Sequence, residues 1–386
     1  MKHIMTDINP NPEWWLRFAL PNIDVKTKLP ESRFLAIVAP NDKRVRFLYN
    51  KYPNIRSYLK RFRDQFKKKF RPSLLICSPS APNTVSDNIE SFYAFRDALS
   101  ISVIAEGCQS ILRNDRRIGW EILYSDYFDF YPVNLGRNYE DIVIITQGSS
   151  GLHEIESFSG QSSPKLFRSS VSNATYDQYF LNQILAGWNS YFVLHDQSSN
   201  WSQLFRSLAM AFHGCALSHN NTPLLHDYGV ILGSWVSAFE VLVHPGPGGK
   251  SNFWVVSNLL DCIKWNSKKL KLKKYVVNWK RKPYKVTLAS KIYWKILEAR
   301  NKFLHGEKII RQDLLLTVKN YKGDNIARSL LWFAPIIYRG ALLNFLSKGQ
   351  KVSRVGSSLE QFSNNLLLEM KQDNYEEALN KIINCN

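Results

Sequence analysis

The sequence predicts an α+β N-terminal domain, 1–172, followed by an all-α C-terminal domain, 173–386. Three observations predict it. Short β-rich runs are confined to the first half, a polar Gly/Ser/Pro stretch fills 149–172, and helical periodicity dominates thereafter. A chain of 386 residues is too long for one compact helical bundle, and at 45% hydrophobic it can fill two cores. Charged residues make up only 22%, which argues against long disordered stretches.

The runs 34–39, 44–49, 74–77 and 141–145 are β-rich and bounded by Pro, Gly, Asn or Asp, as strands usually are. Residues 89–112 carry amphipathic helical spacing. After the connector, the stretches 175–196, 201–218, 228–244, 252–265, 289–305, 325–346 and 359–383 read as helices. With few strand signals between them, an all-α domain follows.

Lys and Arg number 51 against 32 Asp and Glu, a net charge of +19 that draws in polyanions. A merely basic protein would show the same balance. The cysteines at 77, 108, 215, 262 and 385 form no C-x-x-C pair, so reduced thiols and a cytoplasmic location are expected, without a disulfide framework. The first residues lack an apolar signal core, and no run of about eighteen apolar residues occurs, so no membrane partner is expected. His213, His219, His226 and His244 do not share metal-ligand spacing with the cysteines, and the segment 246–251 lacks the phosphate-loop spacing. Neither a metal nor a cofactor is expected.

Two helices carry the chemistry. In 289–305, Ile292, Ile296, Ala299 and Phe303 form one apolar stripe, and Tyr293, Leu297 and Leu304 an adjacent one. Arg300 falls inside that arc and needs an anionic partner, because an unpaired buried charge costs several kcal/mol. Asn301 and His305 are four apart and share a face; Gly306 is placed to stop the helix. In 228–244 the only carboxylate is Glu240, and pairing it with Arg300 would satisfy both. Each residue also has a plainer reading: a structural ion pair for Glu240 and Arg300, a C-capping arrangement for Asn301 and His305.

The segments WVSAFEVLVHPG and EARNKFLHG together resemble the HEPN helical domains, in the branch typified by the abortive-infection protein ApeA. The resemblance covers roughly 200–345. It implies a HEPN-type helical bundle and a metal-independent endoribonuclease whose products are 2′,3′-cyclic phosphates and 5′-hydroxyls. It implies His305 as acid/base, Arg300 as stabiliser of the phosphorane oxygens, Asn301 as orienter of the histidine or phosphate, and Glu240 as the residue that positions Arg300. Such nucleases build the site from two motifs and this chain carries one, so a homodimer is implied. The resemblance further suggests an anti-phage effector with a phage-derived trigger or an antitoxin as partner, the N-terminal domain sensing or restraining. HEPN modules that bind RNA or protein without cleaving are the alternative. A DNA-binding regulator would need a reading helix, and no helix-turn-helix signature is present.

Between the motif helices, 268–285 holds nine Lys/Arg and no acid, interleaved with Tyr275, Trp279 and Tyr284. Lys268, Lys269, Lys271, Lys273, Lys274, Lys280, Arg281 and Lys282 are the candidate RNA contacts, with aromatics to stack on unpaired bases. A solvated charged face is the plain alternative. A second cluster, 60–71, has Leu59, Phe62, Phe66 and Phe70 at helical spacing and reads as a basic amphipathic helix.

Overall fold

The computed structural model describes residues 13–64, 66–114, 124–136, 138–144, 168–217, 225–246, 249–320, 322–349 and 371–384. The chain forms two compact units, one of residues 1–92 and 127–174, the other of 93–126 and 175–386. The 93–126 stretch therefore groups with the C-terminal residues.

In the first unit, β1 (Trp15–Leu20), β2 (Ile23–Val25) and β3 (Leu35–Val38) precede α1 (Lys43–Lys51), α2 (Pro53–Leu59), β4 (Ser73–Cys77) and α3 (Asn83–Ser86). An antiparallel sheet of order β1-β4-β3 carries the core, where Leu16, Ala36, Val45, Leu48, Ile55, Tyr58 and Phe62 cluster. The strand expected at 44–49 is helix α1. Asp42 decides this: its carboxylate accepts the Arg44 backbone N–H at 2.9 Å, an N-cap that starts a helix, and Val45 and Leu48 then share a buried face.

The basic amphipathic helix expected at 60–71 is also absent. Helix α2 stops at Leu59, and Asp64 accepts the backbone N–H groups of Phe66 and Lys68, folding the chain into a turn with Lys67 at φ +62°. Phe62 enters the core while Phe66 is left 78% exposed. Their i, i+4 spacing came from the two sides of a turn. The connector stretch lies mostly outside the described residues, but its end, β7 (Ser169–Val171), pairs in parallel with β2. Strands β5 (Val133–Leu135) and β6 (Ile142–Ile144) form a hairpin.

The helix α4 (Ile89–Asn114) runs into the second unit, which is predominantly helical but not all-α. Its helices are α5 (Gln178–Trp188), α6 (Ser199–Gly214), α7 (Leu225–Leu242), α8 (Phe253–Asp261) and the short α9 (Lys268–Leu272). The hairpin β8 (Tyr275–Trp279) and β9 (Lys282–Val286) leads into α10 (Leu288–Leu304). Next come β10 (Leu315–Lys319), β11 (Asn325–Ser329) and α11 (Ala334–Gly349). Residues 371–380 form a final helix, α12, before β12 (Ile382–Asn384), which joins β10.

The all-α expectation for 173–386 thus fails at two places. The basic run 268–285 is a short helix and a hairpin. The helix expected at 325–346 begins only at Ala334, because 325–329 pair with β10 across a turn in which Asn320 N–H donates to the Asp324 carbonyl. Of the helix expected at 359–383, the part before 371 lies outside the described residues. Leu330–Ser347 is long and apolar enough to cross a membrane by composition, yet two thirds of it is buried inside the fold. That stretch also holds Arg339, 1% exposed and bound to Asp177.

Trp235, Phe239, Tyr293 and Tyr338 form the aromatic centre of this unit, with ring centroids 5.1–6.2 Å apart. All four are essentially fully buried, and burial of such side chains contributes about 1.5–3 kcal/mol each. This centre fixes α7, α10 and α11 side by side.

Candidate active site

Helices α7 and α10 are antiparallel, and two contacts set their register. The Phe239 and Tyr293 rings meet at 5.1 Å, and a Cβ built on Gly229 would lie 2.4 Å from the Phe303 ring. Glycine is required there because any side chain at 229 would occupy the ring's place. The two contacts are ten residues apart on each helix, so the pair runs in register across its length.

Helix α10 starts at Thr287, whose hydroxyl caps Ser290 N–H, and ends at His305. Gly306 adopts φ +73° and its N–H bonds to Phe303 O, while Glu307 N–H bonds to Lys302 O at 2.9 Å. These two bonds are a Schellman stop, as the sequence suggested for Gly306. Lys302 then grips Asp313 of the following turn at 2.8 Å, tying the exit segment to the helix end. His305 is left exposed on a fixed last turn.

Arg300 is half-buried, as its place in the apolar arc predicted, and Asn301 lies beside it. Arg300 Nη1 donates to Asn301 Oδ1 at 3.1 Å, so the Asn301 carbonyl is turned to the arginine and not to His305. Glu240 is half-buried on α7. Burial pushes its carboxyl above the usual carboxylate range, and the charges of Arg300 and His244 pull it part of the way back. Arg300 and Glu240 therefore act on each other's charge, but they do not form the contact ion pair that the sequence suggested: the Arg300 hydrogen bond goes to Asn301.

The helix register explains the gap. Glu240 stands one residue past Phe239 and Arg300 seven past Tyr293, an axial separation of eight residues or about 12 Å. Each side chain leans toward the N-terminus of its own helix, and in an antiparallel pair that carries Arg300 and Glu240 toward one another. His305 lies five residues farther along, about 20 Å from the level of Glu240. Glu240 can thus influence chemistry at His305 only through Arg300.

One residue of this row was missed by the reading of apolar periodicity. Tyr293 had been placed with the apolar stripe, and its ring is indeed fully buried against Phe239 and Phe253. Its hydroxyl, however, is buried without a hydrogen-bond partner among the described residues. Burial raises the phenol pKa well above normal, the Glu240 charge raises it further, and Arg300 opposes them, which places the hydroxyl within the field of both. The signal was available: Phe would pack as well, so a tyrosine at i−7 from Arg300 asks what its oxygen serves.

The basic run divides between two roles. Lys268, Lys271, Lys273, Lys274, Lys280, Arg281 and Lys282 are exposed. Lys269 donates to Asn380 O at 2.6 Å and fastens the C-terminal helix, with burial first and then Lys273 and Lys319 lowering its pKa. Tyr275 is buried and Trp279 stacks on Phe253 at 5.7 Å, so of the three aromatics only Tyr284 is exposed. Trp254 of α8 joins this surface, 4.6 Å from Tyr284. The hairpin turns through Lys280 and Arg281, both at positive φ, a conformation that usually selects Asn-Gly.

The hairpin packs on the first half of α10, through Trp279 against Trp294 at 5.8 Å and Lys291 Nζ to Val276 O at 2.6 Å. Trp294 and His305 are eleven residues apart, about 16 Å along the helix. The basic surface and the histidine therefore occupy opposite ends of α10. Among the described residues no group of three His, Cys, Asp or Glu side chains is arranged to hold a metal. The chain matches no protein-family model, and comparison with curated proteins and with solved structures gives no match.

Proposed function

We propose that this chain is a metal-independent endoribonuclease of the HEPN type, acting as a symmetric homodimer. The observation that carries the reading is the end of α10. There a half-buried Arg300 and an exposed His305 are held on one rigid last turn, with the Glu240 charge acting on the arginine from α7. In the proposed reaction the RNA 2′-hydroxyl loses its proton to a histidine and attacks the adjacent phosphorus. The 5′-oxygen leaves with a proton from a second histidine, giving a 2′,3′-cyclic phosphate and a 5′-hydroxyl. Arg300 binds the phosphorane oxygens, for which a guanidinium fork is suited.

One chain offers one His305, and a second copy supplies the other. Val230 and Leu304, 55% and 57% exposed near this end of the helix pair, give a second copy an apolar contact, and the Cβ direction of Gly233 meets nothing within 4 Å. The exposed basic hairpin, packed on the opposite end of α10 from His305, favours a second reading, an RNA-binding module that does not cleave. An anti-phage role in the cytoplasm remains part of the proposal through the HEPN likeness alone.

The test is labelled RNA incubated with purified protein in EDTA, wild type beside His305→Ala, with cyclic-phosphate ends as the readout. Cleavage by wild type and its loss in the variant, by at least about 10²-fold, is the expected result. Equal cleavage by both, or binding without cleavage by wild type, overturns the nuclease reading. Sedimentation of wild type against Leu304→Asp reports the dimer.

A further inference from the structure

The run 60–71 of the first unit holds seven Lys/Arg and one acid, Asp64. Two of its side chains build a turn. Asp64 Oδ1 accepts the backbone N–H groups of Phe66 and Lys68 at 2.9 and 2.8 Å. The half-buried Arg63 donates to the carbonyls of Lys60 and Phe62 at 2.7 and 2.9 Å. Backbone bonds from Asp64 N–H to Lys68 O at 2.9 Å and from Phe70 N–H to Phe62 O at 3.3 Å close its base. Of the three phenylalanines, Phe62 enters the core and Phe70 lies under Arg168, whose guanidinium is 4.4 Å from the ring centroid. Phe66 projects, 78% exposed, and Lys60, Arg61, Lys67, Lys68, Lys69 and Arg71 are exposed on either side of it in the chain.

The tip is held at a cost. Lys67 has φ +62°, a conformation that glycine adopts freely and a residue with a Cβ does not. Among the described residues five non-glycine positions have positive φ, and three of them are cations on basic turns: Lys67 here, Lys280 and Arg281 between β8 and β9. At each, a cation stands where glycine would relieve the backbone, so the charge serves something other than the fold. Charge and ring together specify the partner. Clustered cations bind a phosphate backbone by releasing its counterions, and an exposed aromatic ring stacks on a base whose face is free. A duplex keeps its base faces in its own stack, which leaves the ring nothing to meet. A lipid surface is entered by an apolar face of several side chains, and this turn offers one ring amid cations. We propose that the 60–71 turn is a binding site for single-stranded RNA, in which Phe66 stacks on an unpaired base and Lys67, Lys68 and Lys69 meet the flanking phosphates. The first unit then contributes an RNA contact of its own.

That the strand is RNA rests on the proposed function; its capture by Phe66 does not depend on cleavage. The test is fluorescence anisotropy in EDTA, with the full chain carrying His305→Ala so that the strand stays intact. The probes are a labelled oligouridylate, a labelled RNA duplex, and vesicles of phosphatidylserine and phosphatidylcholine. Phe66→Ala, a change at an exposed ring that the fold withstands, should weaken oligouridylate binding about fivefold or more and leave duplex binding level. Lys67→Gly should lower the slope of log affinity against log salt by about 0.7. Its melting temperature should stay level or rise as the backbone is relieved. Because the run 268–285 is also basic, both variants are repeated in a Lys280→Ala/Arg281→Ala/Lys282→Ala background, where their effects should be at least as large. Oligouridylate that does not bind, affinity unchanged by Phe66→Ala in both backgrounds, or equal weakening of the duplex overturns the proposal. Vesicle binding that Phe66→Ala abolishes, beside unchanged RNA affinity, overturns it in favour of a membrane surface. Phe66-dependent binding by a wild type that cleaves no RNA upholds the site and removes only the nuclease reading. Cleavage that needs His305, beside binding indifferent to Phe66, does the reverse.

Discussion

Two arginines in the second unit face an acid from another helix, and they are treated in opposite ways. Arg339 is sealed: it donates to Asp177 at 2.5 Å and to Gln372 at 2.9 Å, lies over the Tyr375 ring, and neither it nor Asp177 is more than 1% exposed. Arg300 is open: half-buried and bonded to its neighbour Asn301, without contact to Glu240. Closed off from solvent, the Arg339–Asp177 ion pair presents no face to a ligand, even though Arg339 Nη2 has no hydrogen-bond partner among the described residues. The difference teaches which of two similar sequence features is structural and which has binding capacity to spare.

The largest effect that sharpens this contrast is on stability. Arg339→Ala strands Asp177 in the core and should cost about 3–5 kcal/mol in chemical denaturation. Arg300→Ala leaves only a half-buried carboxylate already raised toward its neutral form, so its cost should stay below about 1 kcal/mol, while cleavage drops by at least about 10²-fold. Equal destabilisation by the two changes would break the comparison.

A smaller effect tests the register that keeps the second pair apart. Gly229→Leu drives a side chain into the Phe303 ring and should lower stability by about 1–3 kcal/mol, with activity falling because Arg300 moves relative to Glu240. Unchanged stability would mean that α7 and α10 do not pack as described.

The smallest is a pH effect. The Glu240 pKa is raised in the folded chain, so the folded state holds the proton more tightly than the unfolded state. That contribution is present below the ordinary glutamate pKa and is lost as pH rises through the folded value. Glu240→Gln removes this loss: melting curves should show the variant gaining on wild type as pH rises from the ordinary carboxylate range to neutrality. Asp177→Asn instead breaks the buried ion pair with Arg339 and should lose stability outright. A Glu240→Gln protein that loses stability with rising pH would make Glu240 the anionic partner of a structural ion pair.

Much of this was legible along the chain. The Arg300 position inside an apolar arc forced a half-buried guanidinium, and Gly306 after His305 forced the helix to stop there, because both follow from periodicity and from glycine's access to positive φ. The failures have a common cause. At 44–49 one capping side chain, Asp42, outweighed the β-rich composition; at 60–71 Asp64 bent a stretch whose phenylalanines only mimicked helical spacing; and 325–329 took strand geometry from its partner β10. Each is a local or pairing interaction that an apolar period does not record.

By itself the sequence determined the helices α7 and α10, the residues on their faces and the charge of the hairpin between them, since helical period and net charge are properties of the chain alone. Only the tertiary structure decided that Glu240 stops short of Arg300, that Asn301 turns to the arginine, that the basic hairpin sits at the far end from His305, and that the Tyr293 hydroxyl is buried without a partner among the described residues. Those follow from the antiparallel register set by Gly229 against Phe303 and Phe239 against Tyr293, contacts between residues distant in sequence whose alignment no single helix encodes.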